Sequence, residues 1–245
     1  MKRILTIVLC LCVLFVMPIP LSAEDFMAQG NILHDRGTSN YENYKQSGDM
    51  FVKALEANPS SYEAAWKAAR SYRMFADESQ LKNAPNWKDA CEKYGALGMK
   101  YGEKAIALNS NGVEGYYWYG CSVGDYADAV SVFTALKEGL KNKTQTSFEK
   151  AYRINKMYDD GGPMIALGRF WSILPWPMHD KKLALKYFRE YQKSFPNDAR
   201  GQVWMAETLI DTGGKDEAKV LLQKASASGD KFFADRSRHL LAEKY

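Results

Sequence analysis

No stretch of this sequence alternates apolar and polar residues over the length of a strand, and without that period-2 pattern a β-sheet protein is excluded. Histidine is scarce. His34, His179 and His239 lie in separate segments, none four residues from another and none beside a cysteine pair. His179-Asp180 supplies two ligands where a structural zinc site takes four, so no metal site is expected. There is no Gly-x-Ser-x-Gly, no serine or cysteine with an evident histidine partner, and no glycine loop to cradle a phosphate. Nucleophilic catalysis and nucleotide binding therefore find no support, and the chain reads as a non-enzyme without cofactor. No basic cluster stands out either. The 33 lysines and arginines face 29 aspartates and glutamates, which argues against nucleic acid as a partner.

Cysteine is nearly absent beyond the N-terminus, where only Cys91 and Cys121 occur. On a continuous helix over 87–109, Cys91 would lie about 27 Å from the turn near Ser110, and Cys121 about 14 Å back along the returning helix, at 1.5 Å per residue. Bridged Cα atoms stand within about 7 Å, so this geometry argues against a disulfide. A bend at Gly95, Gly98 or Gly102 would allow one. Proline is also sparse, with 8 residues that mark segment ends rather than interiors.

What is present begins with a leader. Lys2 and Arg3 precede an apolar run from Ile4 to Met17, broken by Pro18 and Pro20, with Ala23 as a small residue at a cleavage point before Glu24. The run is short of the roughly 20 residues that span a bilayer. Residues 1–23 are expected to be a cleaved signal peptide, leaving no stable membrane anchor and a periplasmic or secreted protein.

The remaining chain suits one all-α domain. Its clearest internal pattern is Asp198 to Ala225. Ala206 stands in a first helix, Gly213-Gly214 makes a turn, and Ala218, Leu222 and Ala225 alternate small, large and small in a second. This resembles a tetratricopeptide (TPR) repeat, in which small residues let antiparallel helices approach and large ones fill the gaps. The same grammar recurs with Gly168 and Phe188, with Gly120 and Phe148, with Ala69 and Ala105, and with the second helix of a first unit at Ser47, Phe51 and Ala54. The anchors Ala69, Gly120, Gly168 and Ala206 are 51, 48 and 38 residues apart, against a TPR period of about 34. Insertions are therefore expected at 76–97 and 125–147. Ser60-Ser61-Tyr62-Glu63 reads as a capping box, and Asp180 and Asp198 read as helix caps. The expected fold is an α-solenoid of about four TPR-like helix pairs. An N-terminal segment covers 24–40, the repeats cover 41–230, and a capping helix covers 231–245.

Two stretches are more specific. "EGYYWYG" (Glu114–Gly120) is followed by "YDDGGPMIALGRFWSILPWP" (Tyr158–Pro177). Together they resemble the T components (TatT-like) of TPR-protein-associated TRAP transporters, where a Tyr/Trp-rich helix ending in glycine precedes a Gly-Gly, hydrophobic, Leu-Gly helix and a proline loop. That family often carries Gly-Gly-Asp after the proline, and here only Asp180 matches. The resemblance implies a binding protein that assembles as a homo-oligomer and docks a periplasmic solute receptor. The alternative is an interaction scaffold for cell-envelope assembly. The partner is a protein or a small ligand. Within the second stretch, Asp159 to Gly162 is expected to end one helix, with glycine taking the left-handed conformation, and Pro163 to start the next. Ile173–Asp180 is expected to be an oversized turn presenting Trp176. Trp118, Arg169, Trp171 and Trp176 are the candidate binding residues. Ala129 to Lys141 is amphipathic with little basic charge, and its apolar face is expected in the core.

Overall fold

The computed structural model describes residues 22–245, and the expected signal peptide lies almost wholly outside the described residues. Twelve helices and no strands occur among them: α1 (Ala23–Arg36), α2 (Glu42–Ala57), α3 (Tyr62–Leu81), α4 (Trp87–Leu108), α5 (Val113–Ala129), α6 (Val132–Lys137), α7 (Leu140–Asn155), α8 (Tyr158–Ile173), α9 (Lys181–Ser194), α10 (Ala199–Asp211), α11 (Lys215–Ser226) and α12 (Lys231–Lys244). Successive helices pack as antiparallel pairs: α1 with α2, α3 with α4, α5 with α7, α8 with α9, α10 with α11. The pairs stack in chain order and α12 closes the end against α11, as a solenoid requires of its last helix. No helix among the described residues is long and apolar enough to cross a membrane.

The segment 24–40 is itself helical and supplies the first helix of a fifth pair. Its small anchor is Gly30, where a Cβ would fall 2.6 Å from the Phe51 ring on α2. The same contact recurs between Gly120 and Phe148 and between Gly168 and Phe188, at 2.7 and 2.6 Å. In each case a phenylalanine of the second helix lies flat on the backbone of the first. In the last pair Ala206, Ala218, Leu222 and Ala225 are buried together in one core with Phe188.

The insertion at 76–97 lengthens the second pair rather than making a domain, since α3 has 20 residues and α4 has 22. Side-chain caps define six of the twelve starts. Asp180 Oδ1 accepts from Leu183 N at 2.8 Å, and Asp198 Oδ1 accepts from Gly201 N at 2.6 Å. The capping box expected at Ser60–Glu63 is only half formed. Ser61 is the cap, accepting from Ala64 N at 3.1 Å, while Ser60 turns to Asn58. Glu63 then falls one residue too early to reach back and pairs with Lys67 at 2.6 Å instead.

Ala129–Lys141 does not form a core stripe. Val130 and Ser131 are extended, Gly139 is left-handed at φ 65°, and the six-residue α6 between them buries none of its residues. Of this stretch only Leu140, at the start of α7, is fully buried, with Val130 and Ala135 partly buried against the same cluster.

Replacing Gly168 by leucine drives a side chain into the buried Phe188 ring and is expected to lower stability by about 1–3 kcal/mol or more. Gly124 on α5 has no atom within 4 Å of an added Cβ. Gly124→Ala is expected to raise stability by about 0.4–1 kcal/mol, because it restricts the unfolded chain without a clash. Denaturant unfolding of both variants checks the pair.

Candidate functional site

Helix α3 carries Arg70, Arg73, Met74 and Asp77 on one face, at the three- and four-residue spacing that aligns side chains along a helix. Helix α5 carries Cys121, Gly124, Asp125 and Asp128 in the same rhythm. Helix α8 carries Ala166, Arg169, Phe170 and Ile173, and helix α10 carries Arg200 and Trp204. All of these line one cavity of about 890 Å³ on the inner, concave face of the stack. This is within the size range of small-molecule pockets. Its remaining wall includes Tyr117, Trp118, Leu140 and Phe148, with Val132, Leu136, Leu174, Pro175 and Met178 also lining it.

The polar lining is mostly half-buried, with Asp125 buried and Asp128 and Asp159 exposed, and most of it is paired. Arg73 stands 3.1 Å from Asp77 and 3.4 Å from Asp125, the second contact without hydrogen-bond geometry. Burial works against the Arg73 charge, but these carboxylates outweigh it and raise its pKa well above the ordinary value. Burial raises the Asp125 carboxyl well above the ordinary range, although Arg73 opposes the shift. Asp128 accepts from Gln80 Nε2 at 3.3 Å. Arg169 donates to Glu207 at 3.0 Å and lies 5.2 Å over the Trp204 ring. The His34 ring contacts Ser71 Oγ at 3.3 Å, and burial first, then Arg70, lowers its pKa to about 4. Cys91 and Cys121 are both free thiols. Burial pushes the Cys121 thiol, in the cavity wall, up to about 12.

The structure separates the four candidate residues. Trp118 and Arg169 line the cavity. The Trp118 indole donates to Tyr158 Oη at 2.8 Å and meets the Tyr117 ring edge-on, so the Tyr/Trp-rich motif forms one aromatic wall. Trp171 faces the other way and packs between the core of the last two pairs and the core around α5, with Lys141 Nζ 5.2 Å from its ring. Trp176 is 82 % exposed in the loop between α8 and α9 and does not line the cavity, although Pro175 and Met178 do. The joint before α8 is tighter than expected. Asp159, Asp160 and Gly161 are all left-handed, at φ 51°, 50° and 76°, so two aspartates share a conformation expected of glycine alone. The turn puts Asp159 in the cavity wall.

Arg70 and Cys121 escape a reading based on motifs. Their signal is register: each follows a small anchor of its pair (Ala69, Gly120), as Arg169 follows Gly168. On α3, α5 and α8 the residue after the anchor lines the cavity, whereas on α10 the lining residues Arg200 and Trp204 precede Ala206.

A family model described as "Regulator of microtubule dynamics protein 1-3" matches residues 26–171, which include the α3, α5 and most of the α8 walls of the cavity. No curated protein matches. Among solved structures the chain is similar to a thermophilic TPR protein of Thermus thermophilus, with a TM-score of 0.65 at 18 % identity over 90 % of this chain and 100 % of that one. Pseudomonas aeruginosa pilF gives 0.58 at 18 % identity, over 90 % and 87 %. YrrB, described as a TPR protein with an unusual peptide-binding site, gives 0.51 at 16 % identity, over 89 % and 93 %. These likenesses establish a TPR-type fold.

Two substitutions test the lining. Arg73→Met leaves Asp125 buried opposite no cation. Breaking a buried pair costs about 3–5 kcal/mol, and the lower end is expected because the Arg73 side chain keeps 22 % exposure. Trp176→Ala is expected to change stability by no more than about 0.5 kcal/mol, as for other exposed positions. Thermal and urea unfolding read both.

Proposed function

We propose a role as a binding module from the premise that this chain belongs to the family described as Regulator of microtubule dynamics protein 1-3. The cavity on the concave face takes up an apolar ligand or partner segment, and a protein partner docks across the rim beside it. One observation carries this reading. The two stretches singled out in the sequence, Glu114–Gly120 and Tyr158–Pro177, lie far apart in the chain yet both contribute lining to the same 890 Å³ space. The rim supports the second half. Val132, Phe133 and Leu136 on α6 are 68, 78 and 57 % exposed, and Ile173 and Trp176 lie exposed in and beside the loop after α8. Apolar surface of this kind beside a pocket is the ordinary mark of an interaction site.

The leader favours export, so the module is proposed to act in the periplasm or outside the cell. Microtubule regulation, the property in the family's name, is not part of this proposal. Its finer form is an accessory of a TRAP-type uptake system that meets a solute receptor at the rim. It rests on the same two stretches that line the cavity. Metal binding and catalysis are not proposed. No cluster of three potential metal ligands occurs among the described residues, and no cavity side chain is arranged as a nucleophile with its base.

Gly124 provides the test. It lines the cavity, and space lies beyond it. Gly124→Leu is expected to project into the cavity and narrow it while keeping the fold at least as stable as the unchanged protein. The neutral apolar fluorophore N-phenyl-1-naphthylamine should bind the unchanged protein with enhanced emission and bind the variant at least tenfold more weakly. Equal binding to both would place the probe elsewhere and remove the cavity as the site.

A further inference from the structure

Four arginines line the cavity, and three of them have carboxylates. Arg73 has Asp77 and Asp125, Arg169 has Glu207, and Arg200 has Asp198 at 3.9 Å. Arg70 has none. Among the described residues it makes no ion pair and no hydrogen bond, and its Nε is buried without a partner. A guanidinium keeps its proton at any physiological pH, so its desolvation cannot be relieved by neutralisation. Burying such a charge without a counter-ion is unfavourable, and a ligand that supplies the counter-ion recovers the loss. Burial lowers the pKa of Arg70, which shows the same unmet demand, while nearby Tyr158 and Asp159 act only from a distance.

The guanidinium is also held in place. Its carbon lies 5.1 Å from the Trp66 ring centre, a cation–π contact that anchors the group, and its donor edge has no protein acceptor in the cavity lining. That edge matches a planar two-oxygen acceptor. His34, the neighbouring titratable group, is neutral near pH 7 and neither competes for the arginine nor adds charge. Asp77, Asp125, Asp128 and Asp159 share the lining and oppose a second negative charge on a ligand. Met74, Trp118 and Phe170 supply apolar wall beyond the charged group.

We propose that the cavity binds an apolar monocarboxylate, with the carboxylate paired to Arg70 and the apolar body against the aromatic wall. The assignment rests on the cavity being the binding site, as proposed above, and adds the chemical class of its ligand.

A matched pair of probes separates the two levels. Binding of 1-pyrenebutyrate and 1-pyrenebutanol to the purified protein is followed by pyrene fluorescence at neutral pH, with a pyrenylalkyl phosphate as a third probe. The butyrate is expected to bind at least tenfold tighter than the alcohol and tighter than the phosphate. Arg70→Gln should bring the butyrate down to the affinity of the alcohol without lowering the melting temperature, since an uncompensated charge has been removed. Arg70→Lys, which keeps the charge but loses the fork, should retain only part of the preference. Gly124→Leu should weaken binding of all three. Equal affinity of butyrate and alcohol for the unchanged protein would overturn the carboxylate assignment and leave the cavity reading standing. A preference that survives Arg70→Gln would overturn the role of Arg70. Phosphate binding tighter than butyrate would overturn the single-charge assignment. No binding by any probe would overturn the cavity reading and this one with it.

Discussion

A phenylalanine ring lying on a glycine of the facing helix closes three of the five helix pairs. Phe51 on Gly30, Phe148 on Gly120 and Phe188 on Gly168 leave no room for even a methyl group. The contact does two things at once. It buries a large apolar ring, worth about 1.5–3 kcal/mol for a fully buried side chain, and it sets the separation and rotation of the two helices. A larger residue at the anchor would push the pair apart and rotate every other side chain on both helices. The stacking of pairs, and so the curvature of the solenoid, inherits its regularity from this repeated seat.

That rotation decides the inner face. Once the small anchor points at its partner helix, the next residue and those three, four and seven further on point to the hollow side. On α3 these positions hold Arg70, Arg73, Met74 and Asp77, and on α5 they hold Cys121, Gly124, Asp125 and Asp128. Charges brought together in this way lose water, so their pairing matters. Asp77 and Asp125 hold Arg73, and Glu207 holds Arg169. Arg70 is left with an aromatic face and no anion. The concave face is thus a hollow of mixed lining in which the Arg70 guanidinium has no carboxylate partner and Lys141 reaches only Gln145 and the Trp171 ring.

The insertion at 76–97 lengthens a helix pair and adds to its core, while the one at 125–147 and the loop after α8 serve the rim. At 125–147 the chain leaves α5, makes the short α6, and returns through a left-handed Gly139 into α7. The long turn after α8 does the same on the neighbouring pair. Both carry exposed apolar residues and both line the cavity mouth. A regular TPR turn is too short to reach over the concave face. The added residues give this chain a partly covered cavity in place of an open groove.

Much of the architecture was written in local patterns. Helical periodicity, the anchors Gly120, Gly168 and Ala206, the caps at Asp180 and Asp198, and the closing helix after Lys231 all depend on residues near one another in the chain. Where neighbours did not decide, expectation and structure parted. The apolar face of Ala129–Lys141 has the composition of a core stripe, and only the absence of a helix to receive it leaves it exposed. Trp118 and Trp171 look alike in the sequence, one two residues before a glycine and one three residues past another. A rotation of about 100° per residue along the helix sends the first to the cavity and the second into the core. Arg70 carried no mark, because its meaning lies in what fails to stand beside it once five helix pairs have stacked. By itself the sequence determined that the chain folds as paired helices and which small residues join them, since those are matters of spacing. The tertiary structure decided which charges meet and which one is left alone, because pairing depends on distances between segments that spacing along the chain does not specify.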